Sequence, residues 1–295
     1  MHLPDGIDTT GRIEANGVPV AYLSQGEGPL ALLLHGFPDT AHTWRHLMPP
    51  LADAGFRVVA PFLRGYAPTG VPADGCYQTG ALATDACALH EALGGDGDAV
   101  IVGHDWGAYA TYGAAALAPE RWRKVVTMAV PPPASLGMGF FDYAQLKRSF
   151  YIFLFQTPLA EVAVPMDDLA FIDGLWADWS PGYDGAADAA AVKDALRDPA
   201  NLSAAIGYYR AMFDPALHGE QYAEAQAATA RPTLQPTLYV HGLADGCLKA
   251  PPAADIAAHL PAEGSRVEMI DGAGHFLHLE QPDYVSERIV RFVTS

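Results

Sequence analysis

A mostly parallel α/β fold interrupted by a helical insertion is predicted by three observations. Short β-branched apolar runs alternate with helical spacings up to about residue 133 and again beyond residue 236. Gly, Pro, Asn and Asp punctuate the ends of those runs, as turns require. Between residues 134 and 230 the β pattern vanishes, and aromatics, Ala, Asp and Pro take over.

Taken in order, residues 11–25 alternate around Ile13, Val18, Val20 and Tyr22, with Asn16-Gly17 as a hairpin turn signal. Leu30 to Leu34 reads as a buried strand running into His35-Gly36-Phe37-Pro38, and Thr43 to Ala54 as helix. Arg57 to Ala60 is a strand stopped by Pro61, and Leu82 to Leu93 has helical apolar spacing. Ala99 to Val102 is a strand before Gly103-His104-Asp105-Trp106-Gly107, and the alanine-rich stretch 108–116 reads as helix. Val125 to Val130 is a further strand, closed by three prolines. Helices are expected at 142–156, 188–197 and 200–212, and strands resume at Pro236 to Val240 and Arg266 to Ile270. The expected organisation is a core made of residues 1–133 and 231–295, with a helical cap of residues 134–230 lying over the site as a lid.

Composition narrows the function. The chain has 295 residues, about half of them hydrophobic, enough for one large core. A formal charge of −17 argues against nucleic acid or an anionic membrane surface as partner. Cys76, Cys87 and Cys247 are too few and too scattered for a disulfide framework. Met1 to Thr10 has neither a basic stretch nor an apolar run, so no secretory signal is expected, and no apolar run reaches membrane-spanning length. A reducing, cytoplasmic setting is expected, as monomer or homodimer.

The chemistry concentrates in the 103–107 segment. Strand, sharp turn and helix form the context of a nucleophile elbow, with aspartate where serine is usual. A carboxylate is already ionised at neutral pH and needs no base before it attacks. Asp245 follows the strand ending at Val240, and His275 follows the next one. Nucleophile, acid and histidine in that chain order match one of the known triad lineages. The backbone N–H groups of Phe37 and Trp106 are placed to form an oxyanion hole, and Pro38 suggests an unusual loop path, with a cis bond plausible. His35, Phe37, Pro38, Trp106, Phe155 and Phe276 are expected pocket walls, whereas His241 and His278 read as packing residues. His42 and His46 stand one helical turn apart without a third ligand, so no metal and no cofactor are expected.

His35-Gly36-Phe37-Pro38, Trp44-Arg45, Arg64-Gly65-Tyr66, Gly103-His104-Asp105-Trp106-Gly107-Ala108 and the run from Gly272 to Pro282 together resemble the α/β-hydrolase-fold epoxide hydrolases over nearly the whole chain. The resemblance implies an α/β-hydrolase fold: a mostly parallel sheet, helices on both faces and an inserted helical cap. It also implies that Tyr151, before Phe155-Gln156, and Tyr209, directly before Arg210, donate protons to the epoxide oxygen; Tyr208 is the rival for the second position. Three departures bear on pocket shape: Phe62 where aspartate is frequent, Ala67-Pro68-Thr69 in place of Gly-x-Ser, and Gly246 after Asp245.

The activity so implied is conversion of a small hydrophobic epoxide and water to a vicinal diol. Asp105 attacks the ring, and His275, supported by Asp245, activates the water that releases the ester. A haloalkane or haloacid dehalogenase shares the Asp nucleophile, but the tyrosine pair would have no purpose there. Residues 108–111 also offer no arginine for a haloacid carboxylate. A serine esterase lacks its nucleophile at position 105, and a non-catalytic receptor would have no use for an intact Asp105, Asp245 and His275 set.

Overall fold

A computed structural model describes residues 8–295, so the reading of the first residues as lacking a leader falls, for residues 1–7, outside the described residues. Eight strands form one sheet: β1 (Asp8–Ala15), β2 (Val18–Gln25), β3 (Leu30–Leu34), β4 (Arg57–Pro61), β5 (Val100–His104), β6 (Lys124–Met128), β7 (Thr237–Gly242) and β8 (Arg266–Ile270), in the order β1-β2-β4-β3-β5-β6-β7-β8. The β1–β2 and β2–β4 pairs are antiparallel, and every pairing from β4 to β8 is parallel. The predicted hairpin is present: Asn16 and Gly17 both have positive φ (51° and 71°), as the favoured two-residue turn demands.

β3 and β5 are buried at every position, as expected of central parallel strands covered on both faces. α1 (Thr79–Ala92) packs on α2 (Trp106–Leu117), and the short helix Met48–Asp53 packs on α8 (Pro282–Thr294). The expected helix over residues 43–54 is divided. A 3-10 turn spans Ala41–His46, and the Pro49-Pro50 pair, which lacks two amide donors, starts a new helix at Met48.

Between β6 and β7 the chain forms only helices and turns. They include α3 (Tyr143–Arg148), α4 (Phe150–Phe155), α5 (Met166–Trp179), α6 (Ala186–Leu196) and α7 (Pro199–Phe213). The helix expected over residues 142–156 is two helices broken at Ser149 (φ −88°, ψ 13°). α5 departs from the sequence expectation, which places no helix there. Leu169, Ile172, Leu175, Trp176 and Trp179 are nevertheless buried at helical spacing, and the interspersed aspartates, weak helix formers, mask it. Its start is interrupted by a left-handed turn at Asp167–Leu169.

α5 docks on the core through residues expected to line the pocket. The Trp176 indole N–H donates to the Pro38 carbonyl (2.9 Å), and its ring stacks on Phe276 at 3.6 Å. Among the described residues no helix is long and apolar enough to cross a membrane.

Candidate active site

Four loops meet above the carboxyl ends of β3, β5, β7 and β8, where open parallel sheets bind ligands. The first is the turn between β5 and α2. Asp105 sits at φ 52°, ψ −120°, a conformation that disfavours a side chain and persists only when its surroundings enforce it. Close backbone contact does the enforcing: a Cβ on Gly107 would lie 2.0 Å from the Leu34 carbonyl oxygen. The loop after β3 approaches as tightly, since a Cβ on Gly36 would meet Asp105 Oδ1 at 2.3 Å. That approach lets the Phe37 N–H donate to Asp105 Oδ1 (2.8 Å) and brings the Trp106 amide alongside. The Phe37-Pro38 bond is cis, as is Ala67-Pro68.

The loop after β7 holds Asp245. Its Oδ1 accepts the backbone N–H groups of Cys247 (2.7 Å) and Leu248 (2.8 Å), while Oδ2 accepts His275 Nδ1–H (3.0 Å). Burial works against ionisation of Asp245, but His275, His241 and the backbone amide outweigh it, and its pKa lies below the usual carboxylate range.

His275, after β8, is fully buried, with Nε2 facing Asp105 Oδ2 at 3.7 Å and making no hydrogen bond. Its backbone N–H donates to the Trp179 carbonyl (3.0 Å), and its own carbonyl accepts from His104 Nε2 (2.9 Å). Burial alone would lower the His275 pKa; the carboxylates of Asp245 and Asp105 prevail and push it up to about 10.

From the helical segment, α4 contributes Tyr151 and α7 contributes Tyr209. Their rings meet edge to face at 5.4 Å, and Tyr209 also packs on Phe37 (5.2 Å) and Trp106 (5.1 Å). The Tyr151 hydroxyl lies 3.5 Å from Cys247 Sγ, whereas the buried Tyr209 hydroxyl has no hydrogen-bond partner among the described residues. Tyr208 is turned away: its hydroxyl donates to the Arg64 carbonyl (2.8 Å) and its ring stacks on Tyr77. Burial, then the nearby acidic groups, holds the pKa of both Tyr151 and Tyr209 well above the usual phenol value.

A cavity of about 40 Å³ lies over Asp105, lined by Trp106, Tyr151, Tyr209, Cys247 and neighbours. An adjoining cavity of about 260 Å³ shares Trp106, Tyr109, Leu136, Phe140 and Met212 with it. Of the expected walls, Trp106 is among the residues lining these two cavities, and His35, Phe37, Pro38, Phe155 and Phe276 stand outside that lining. Phe37 and Phe155 pack behind the tyrosines, and Pro38 and Phe276 anchor α5. His35 is committed to the backbone: Nδ1–H donates to the Gly36 carbonyl (2.9 Å) and Nε2 accepts from the Leu63 N–H (3.0 Å). Residues next to a motif in sequence are drawn into the packing that shapes it, and the walls come from segments without a motif.

Two clusters of ligand-type side chains have no ligand spacing in the sequence, because each draws on separate loops. Asp105, Cys247 and His275 place ligand-type atoms within 4.8 Å of one another, and so do Asp39, His104 and His278 behind the histidine. Cys247 had one legible signal: it stands two residues past the acid, on the same strand-end loop.

Residues 29–161 match the model of the alpha/beta hydrolase fold family. The chain is 31% identical to Epoxide hydrolase A of Mycobacterium tuberculosis, with 98% of each covered. It is 32% identical to an epoxide hydrolase of Caballeronia sordidicola, over 95% of this chain and 92% of that one. Among solved structures, an epoxide hydrolase from an endophytic Streptomyces superposes with a TM-score of 0.78 at 27% identity, covering 99% of this chain and 96% of the other.

Proposed function

This chain belongs to the α/β-hydrolase-fold epoxide hydrolase family, and on that premise we propose that it opens small apolar epoxides to vicinal diols through an ester on Asp105. The observation that carries the reading is that one small cavity holds the Asp105 carboxylate together with both Tyr151 and Tyr209. A haloalkane needs no acid to release halide, whereas an epoxide oxygen leaves as a strongly basic alkoxide unless protonated. Two phenols held neutral by burial meet that need.

Asp105 Oδ1 is engaged by the Phe37 N–H, so Oδ2 is the attacking oxygen. Esterification removes the carboxylate charge facing His275 and leaves Asp245 as its only acidic partner among those that raise its pKa. The imidazolium then gives up its proton, which restores the phenol that protonated the epoxide oxygen, and the neutral Nε2 takes a proton from the water that attacks the ester carbon. In this scheme the base appears only after the nucleophile has been used. Negative charge develops on Oδ1 beside the Phe37 and Trp106 amides, where one donor is worth about 3 kcal/mol. The helices of residues 134–230 act as the lid, presenting both phenols and excluding water. The three cysteines are free, which supports a reducing, cytoplasmic setting.

Intact-mass analysis of His275→Gln, incubated with styrene oxide and separately with a bromoalkane, tests the reading. With ester hydrolysis blocked, the protein should gain the whole mass of the epoxide on the peptide carrying Asp105. Gain of an alkyl group with loss of bromide, and no epoxide adduct, would instead identify a dehalogenase.

A further inference from the structure

We infer that the reaction chamber also binds one thiophilic divalent cation, Zn²⁺ or Cd²⁺, through Cys247 Sγ, Asp105 Oδ2 and His275 Nε2, and that its binding blocks turnover. The three ligand atoms come from three separate loops and lie within 4.8 Å of one another. Each has capacity to spare. His275 Nε2 is buried without a hydrogen-bond partner among the described residues, and Asp105 is held by the Phe37 amide through Oδ1, leaving Oδ2 to face His275. The Cys247 sulfur meets the Tyr151 hydroxyl at 3.5 Å, a weak contact that a metal–sulfur bond readily displaces.

The donor set selects the ion. Sulfur with imidazole nitrogen suits zinc and cadmium and does not suit magnesium or calcium, which prefer oxygen. In a tetrahedral site with bonds of about 2.0–2.3 Å the ligands stand roughly 3.3–3.8 Å apart. The 3.7 Å between Asp105 Oδ2 and His275 Nε2 already lies in that range. Two anions, carboxylate and thiolate, balance the charge of the dication within the ligand set. Behind the histidine, Asp245 accepts Nδ1–H at 3.0 Å, the carboxylate support that metal-bound imidazoles use. A fourth position faces the cavity, open to water.

As the bonds form, the thiol proton and the His275 Nε2 proton leave to solvent, and no electrons are transferred. The ion then occupies the attacking oxygen and the base together. That inhibition follows rests on the epoxide hydrolase reading; that the ion binds does not.

The test is titration of the purified whole chain with Cd²⁺ under anaerobic conditions, following the thiolate-to-cadmium absorption in the ultraviolet, with epoxide turnover measured in parallel. One equivalent should bind and abolish turnover, chelator should restore it, and Mg²⁺ at the same concentration should do nothing. Loss of a group merely supporting a ligand weakens metal sites about 10–100-fold, so Cys247→Ser should weaken binding at least about 100-fold and abolish the absorption. Cys76→Ser and Cys87→Ser should change neither. His275→Gln, which keeps the sulfur, should bind more weakly; it serves as the second variant if the Cys247 change impairs folding. Absorption that survives in Cys247→Ser, or binding unaffected by both variants, overturns the inference. A protein that binds Cd²⁺ as described but turns over no epoxide would overturn the function proposed above and leave the metal site standing.

Discussion

At the scale of the residue, two adjacent tyrosines differ in direction. Tyr208 gives its hydroxyl to the Arg64 carbonyl, while Tyr209 points its own toward the cavity over Asp105. Tyr209→Phe should slow ester formation by about 10²-fold, the low end of what a positioned acid supplies, because Tyr151 remains. Hydrolysis of a preformed ester should hardly change, and rapid-quench measurement of both steps checks the split. Equal losses in the two steps would remove the proton-donor role. Tyr208→Phe should leave both steps intact and cost about 1 kcal/mol of stability for the lost buried hydrogen bond, read by denaturant unfolding. The resemblance favoured Tyr209, directly before Arg210, but spacing alone left Tyr208 as a rival, since neighbours on a helix point about 100° apart and nothing in the local pattern says which direction faces the site. Asp105, Asp245 and His275 were legible because each stands just beyond a strand, in spacing that turns and glycines announce.

At the scale of the element, α7 does two things with one face. Tyr209 and Met212, three residues apart and so on the same side of the helix, reach the cavity over Asp105, and Met212 also lines the larger outer cavity. Met212→Trp should therefore fill the junction between the two cavities. Relative to the parent, kcat/KM should fall about tenfold or more for a long-chain or aryl epoxide and little for a two- or three-carbon one, on the 1–3 kcal/mol scale of a misfitted apolar contact. Equal effects on both would mean that substrate does not pass between these cavities. Strands and elbow could be read from the chain, since buried parallel strands are continuous apolar runs. The helical segment was legible in part: the helices expected at 188–197 and 200–212 are present as α6 and α7, whereas the break at Ser149 and the aspartate-rich α5 announce themselves in no spacing. The walls were hidden for the same reason: Leu136, Phe140 and Met212 belong to no recurring spacing.

For the whole molecule, the paired charges at the site tie stability to pH. His275 is raised to about 10 in the folded chain, above its usual value, so its contribution is complete below roughly pH 6.5 and fades as pH climbs through about 10. Asp245 is depressed, so its contribution holds above roughly pH 4 and is lost as pH falls further. Urea midpoints measured from pH 7 to 10 should decline more steeply for the parent than for His275→Gln, by up to about 1.4 kcal/mol per pH unit. Parallel curves would show that the imidazole is not charged in the folded state. The backbone at Asp105 is held at φ 52°, ψ −120°. Its carboxylate is aimed by main-chain geometry and by glycines that leave no room for retreat, so reshaping the surrounding side chains need not disturb the reactive atom's position. Libraries that vary the chamber's lining while sparing Gly36, Gly103 and Gly107 should yield altered selectivity far more often than dead protein.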